Sequence, residues 1–137
     1  IFDYPFCMNI DIPVSYGELL DKLSILEIKK NKITDKNKLK NINFEFNKLN
    51  ELAKKLKNID PDKFENFYSK LIETNSELWE IEDNIRIFEK EKNFGEEFIQ
   101  LARDVYYTND KRFDIKSQIN SFFGSDVIEE KEYIEYE

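Results

Sequence analysis

Apolar residues recur at intervals of three and four over most of the chain. From Tyr16 the positions Tyr16, Leu19, Leu20, Leu23, Leu26 and Ile33 mark one face of a first helix. Leu39, Ile42, Phe46, Leu49, Ala53 and Leu56 then follow a strict 3-4-3-4-3 spacing. Phe64, Phe67, Leu71, Thr74, Leu78, Ile81, Ile85 and Phe88 hold one heptad frame, with Thr74 the only polar member. Phe98, Leu101, Ala102 and Val105 predict a fourth helix over about 96–107, and a fifth is expected over about 111–123. Thr108-Asn109-Asp110 reads as the break between them. Ahead of all these, Ile10, Ile12 and Val14 alternate with polar residues or Pro13, a short strand-like pattern.

The punctuation agrees with the periodicity. Ser15-Tyr16-Gly17-Glu18 has the form of a capping box: the Ser15 hydroxyl accepts from the Glu18 amide, and the Glu18 carboxylate reaches back to the Ser15 amide. Asp35 is placed to cap the second helix. Asp60-Pro61 supplies a cap and a first-turn proline for the third. Asn93-Phe94-Gly95 stops that helix near Lys92, and Gly124 is placed to end the last one. The expected fold is therefore all-α: an antiparallel bundle of four to five helices with one long central helix and a short extended N-terminal segment. Residues 1–137 form a single domain, with 1–14 an extended arm and 124–137 an acidic tail; Met8 is a candidate start of the compact part. Helix three, at about 32 residues or about 48 Å, would overhang its shorter neighbours, and self-association would cover the overhang.

Composition narrows the chemistry. Histidine is absent and Cys7 is the single cysteine, so one chain can form no intrachain disulfide, Cys/His zinc site or Ser-His-Asp triad. No cofactor is implied and no metal site is assigned. The net charge of −8 disfavours nonspecific binding to nucleic acid or anionic membrane. No apolar run approaches the ~18 residues of a membrane span. No signal peptide is visible, which leaves a cytoplasmic setting as the expectation. Lysines crowd residues 29–40, and a solvated turn in a lysine-rich chain explains them better than a nucleic-acid patch.

Three stretches together carry a resemblance: PVSYGELLDKLSILEIKK (13–30), ELWEIEDNIRIFE (77–89) and FIQLARDVYYTNDKRFDIKSQINSFFGS with the later EEKEY (98–133). The chain resembles a family of short bacterial and viral proteins known only as a domain of unknown function. The resemblance implies a compact helical protein and no particular reaction. It also implies recurring polar positions at Lys22, Glu27, Glu82, Arg86, Arg103, Asn109, Asp110, Arg112 and Lys116.

Several of these residues carry candidate chemistry in their own right. Arg86, Arg103 and Arg112 are the only arginines in a chain biased towards lysine, and a planar bidentate fork suits phosphate or carboxylate. Lys116 lies nearby, and Asn109 as a helix cap would leave free amides for an anion. Ordinary ion pairing is the competing explanation, since Glu82 lies four residues before Arg86. Arg86 and Arg103 each border an apolar face, which predicts one shared cleft with both guanidiniums satisfied by carboxylates. Glu18/Asp21 and Glu80/Asp83 form two ExxD pairs of the kind that all-α nucleotide pyrophosphohydrolases use to hold magnesium. Chance alone gives about six acidic pairs at this spacing in so acidic a chain. Trp79, the only tryptophan, suits a base or sugar but more often rims a core. The leading expectation is a site for an anionic small molecule (nucleotide, sugar phosphate or carboxylate) built from Arg86, Arg103, Arg112, Lys116, Asn109, Glu82, Lys22 and Glu27. The alternatives are a self-associating interaction module and a magnesium-dependent pyrophosphohydrolase.

Overall fold

The computed structural model describes residues 8–137, and Cys7 lies outside them. Four helices follow in order: α1 (Tyr16–Lys32), α2 (Lys36–Ile59), α3 (Pro61–Lys90) and α4 (Glu96–Phe123). Their starts are set by local chemistry. Ser15 Oγ accepts from Glu18 N at 3.1 Å, Asp35 Oδ1 from Lys38 N at 2.9 Å, and Asp60 Oδ1 from Lys63 N at 3.0 Å. Gly124 ends α4 in the left-handed region, φ 71°, where a Cβ is disfavoured.

Short connections force consecutive helices to run antiparallel. Helix α1 packs on all three of the others, so it forms one axis of the core; α2 and α4 flank the α1–α3 pair. The core joins Leu19, Leu20 and Leu23 of α1, Ala53 and Leu56 of α2, Phe64, Phe67 and Leu71 of α3, and Ile119 of α4. At the α1–α4 contact the backbones almost touch. A Cβ on Gly17 would stand 2.6 Å from the Lys116 carbonyl oxygen.

Three expectations are corrected. The Thr108-Asn109-Asp110 break does not occur: α4 is one helix of 28 residues. Each of these residues lowers helix propensity by less than about 1 kcal/mol, and tertiary packing outweighs that; Thr108 is buried against the bundle. Because α4 is nearly as long as the 30-residue α3 and packs along it, it covers much of the length expected to overhang. The alternating residues Ile10 and Ile12 form no strand and are 88% and 70% exposed, with no sheet edge among the described residues to pair with. No helix among the described residues is long and apolar enough to cross a membrane.

Candidate functional site

A line of polar residues runs up the inner side of α4 at intervals of four: Thr108, Arg112, Lys116 and Asn120. Three of them are buried. Opposite, α1 presents Gly17, Asp21 and Ser24, and α3 presents Asn75, all buried. Buried polar groups need partners, and these satisfy one another. Asn75 Nδ2 donates to Asp21 Oδ1 and to Ser24 Oγ, both at 2.9 Å. Ser24 Oγ donates to the Asp21 carbonyl at 2.7 Å. Arg112 Nη1 donates to Asn75 Oδ1 at 3.4 Å. Asn120 Oδ1 accepts from Gly17 N at 2.7 Å, which satisfies a first-turn amide of α1.

Lys116 stands at the centre. Its ammonium lies 2.7 Å from Glu18 Oε2, 2.7 Å from Glu129 Oε2 and 4.0 Å from Asp21 Oδ2. Burial works against that charge, but the hydrogen bonds to Glu129 and Glu18, with Asp21 nearby, outweigh it and raise the Lys116 pKa. Asp21 shows the reverse balance. Its burial raises the carboxyl pKa, and the Asn75 hydrogen bond and the Arg112 and Lys116 charges only partly oppose this. Glu18 therefore leaves the capping box half made: Ser15 caps α1 as expected, while the Glu18 carboxylate turns to Lys116. A buried ammonium is a stronger partner for a carboxylate than a backbone amide.

Next to this network, a pocket of about 320 Å³ opens between α1, α3 and α4. Ile25, Ile28 and Leu78 give it an apolar wall. Trp79 lines it, Asn75 connects it to the buried network, and Arg86 and Arg112 bring two guanidiniums. Glu82 Oε2 accepts from Arg86 Nη1 at 2.7 Å, the i,i+4 pair anticipated from the sequence. Among the described residues, no carboxylate lies within 4.0 Å of the Arg112 guanidinium.

The structure thus gathers Arg86, Arg112 and Glu82 at one pocket, with Lys116 one turn further along α4. It does not bring Arg103 there. Nine residues from Arg112 amount to half a turn's offset about α4. Arg103 is exposed and rests 5.9 Å from the centre of the Tyr107 ring, and it meets no carboxylate among the described residues. The cleft expected to hold Arg86 and Arg103 together is therefore not formed. Asn109 is mid-helix rather than a cap, so it frees no amides; its buried Oδ1 has no hydrogen-bond partner among the described residues. Lys22 is exposed and lies 3.8 Å from Glu45. Glu27 faces a separate hollow of about 220 Å³ between α1, α2 and α3. There Tyr68 carries a buried hydroxyl whose pKa is driven far up by burial and by the Glu27 carboxylate.

The two ExxD pairs do not face each other. Glu18 and Asp21 surround Lys116 near the start of α1, whereas Glu80 meets Lys32 at its end, at 3.0 Å. Among the described residues no three acidic or thiol side chains are grouped to hold a metal ion.

Sequence reasoning missed Asp21 as a partner of Asn75, and it missed Ser24, Asn75, Asn120 and Glu129 altogether. The i,i+4 series Thr108-Arg112-Lys116-Asn120 was the available signal, because a helix that repeats polar residues along one stripe presents them to one neighbour. The break expected at 108–110 hid it. No curated protein and no solved structure is detectably similar to the chain. The model of a family described as "Family of unknown function (DUF6165)" matches residues 8–136, almost the whole length, and the chain belongs to that family.

Proposed function

We propose that the pocket between α1, α3 and α4 binds a small molecule with an anionic group and a flat or apolar part. The observation that carries this reading is Arg112: it lines the pocket, and its guanidinium donates to a neutral amide with no carboxylate at ion-pair distance among the described residues. A guanidinium so placed has donors to spare for a carboxylate or phosphate. Arg86 adds a second fork at the same opening, and Trp79 offers a face for stacking. Glu82 and Asp83 line the same pocket and match the two arginines in number, whereas in the larger hollow between the tail and α4, about 450 Å³, Asp110, Glu135 and Glu137 outnumber Lys111, so that hollow suits an anion less well. Binding, without an assigned reaction, is what this geometry supports, in the cytoplasmic setting expected from the sequence.

Trp79 is the only tryptophan and lines this pocket, so its fluorescence reports on ligand entry there. Titration with nucleotides, sugar phosphates and carboxylates should change that emission and raise the melting temperature. Arg112→Ala should weaken the responding ligand by tenfold or more, on the order of the 1.5–3 kcal/mol of a charged hydrogen bond. Silence from every anion class would refute the reading. A second reading, a self-associating helical module, draws on the end of the bundle where α3 turns into α4. There Ile87, Phe94 and Ile99 are each about half exposed. Sedimentation at micromolar concentration tests it, and a monomer would exclude it.

A further inference from the structure

Residues 125–137 form no helix or strand, yet they are fastened to the start of α1 and along α4. Ser125 Oγ accepts from Tyr16 N at 3.2 Å and donates to the Val127 carbonyl at 2.6 Å. Further on, Lys131 Nζ donates to Asp110 at 3.2 Å and lies over the Phe113 ring. The Tyr136 hydroxyl donates to Asp110, and its ring stands edge-on to Tyr106 and Tyr107. Between these fastenings Glu129 reaches in to Lys116.

Lys116 therefore holds three carboxylates, and they are not equivalent. Glu18 and Asp21 are fixed by the packing of α1, and Asp21 is also tied to Asn75. Glu129 comes from a segment without a backbone ladder, and its side chain is 44% exposed. It is the partner that can leave and regain water at least cost. Its target does not itself line the pocket but stands next to it: Arg112 and Lys116 share a face of α4 about 6 Å apart along the axis, and Asp21 interacts with both.

We propose that residues 125–137 are a strap whose Glu129 stands in for a second anionic group of the pocket's ligand. The ligand is then a dicarboxylate: one carboxylate takes Arg112, and the other displaces Glu129 from Lys116. This rests on the pocket reading above. A carboxylate is favoured over a phosphate because swapping one carboxylate for another leaves the charge at Lys116 unchanged. A more highly charged group would add repulsion from Glu18 and Asp21.

The test uses the full chain and Glu129→Gln, with glutarate, pyrophosphate and acetate as probes read by Trp79 fluorescence. Circular dichroism checks that the variant is folded. Removing the internal competitor should tighten glutarate by about fivefold, since apparent affinity scales with the open fraction. Acetate, too short to reach both cations, should be unaffected. Glutarate should also speed tryptic cleavage after Lys131 in the unaltered protein, because release of Glu129 loosens the strap. If glutarate binds but neither the Glu129→Gln affinity nor the cleavage of the strap responds, the strap is wrong and the pocket reading survives. Pyrophosphate binding more tightly than glutarate would overturn the carboxylate assignment. If none of the three probes changes the Trp79 signal while a nucleotide or sugar phosphate does, the dicarboxylate and the strap proposal fail and the pocket reading stands.

Discussion

Gly17→Ala is the sharpest perturbation of the α1–α4 contact that builds the polar network. On propensity alone the change should stabilise: alanine in place of glycine inside a helix gains up to about 1 kcal/mol, less in the first turn. The tertiary contact reverses the sign. The new Cβ would lie 2.6 Å from the Lys116 carbonyl oxygen and 2.9 Å from its Cα, whereas ordinary contact begins at 3.4 Å. The obstacle is backbone, so no side-chain rotation relieves it. The helices must separate by the difference, 3.4 − 2.6 = 0.8 Å, unless the chain deforms locally. Overpacking of this kind costs about 1–3 kcal/mol, and the upper end applies when backbone must move. The same displacement stretches the 2.7 Å bond from Gly17 N to Asn120 Oδ1, for about 1 kcal/mol more. Net of the propensity gain, we expect a loss of about 2–3 kcal/mol, or roughly 6–12 °C in melting temperature for a chain of this size. Urea unfolding followed at 222 nm and by Trp79 emission measures it. A neutral or stabilised Gly17→Ala would mean that α1 and α4 do not approach as described.

The remaining stability predictions test the cap and the buried acid. Ser15→Ala removes the acceptor for the Glu18 amide and should cost about 1 kcal/mol; an unchanged urea midpoint would mean that α1 starts elsewhere. Asp21→Asn keeps an oxygen to accept from Asn75 and removes a charge whose burial raises its pKa. A carboxyl with a raised folded-state pKa binds its proton more readily when folded, so its contribution falls as pH rises from the unfolded value of about 3.8 through the folded one. The stability of Asp21→Asn relative to the unaltered protein should therefore improve between pH 4 and pH 7; urea midpoints at the two values that moved the opposite way would show that Lys116 and Arg112 outweigh the burial.

The helices were legible because their causes are local. The caps at Ser15, Asp35 and Asp60 each bond to an amide three residues on, and the 3-4 spacing of Leu39–Leu56 and Phe64–Phe88 marks the buried faces without knowledge of the partner. The Glu82–Arg86 pair, four residues apart, was legible for the same reason. The membership of the site was not. Asp21 and Asn75 are 54 residues apart, and Glu18 and Lys116 are 98 apart. Arg112 and Arg103, alike in sequence terms, differ only in which side of α4 meets the bundle. The continuity of α4 through residues 108–110 was also a tertiary decision, since burial of Thr108 outweighs weak local preferences for a turn. Sequence periodicity determined how each segment folds and which stripe it hides. Only the packing of α1 between α3 and α4 decided which buried charges meet, because a desolvated carboxylate or ammonium takes its partner from whatever chain lies across the interface.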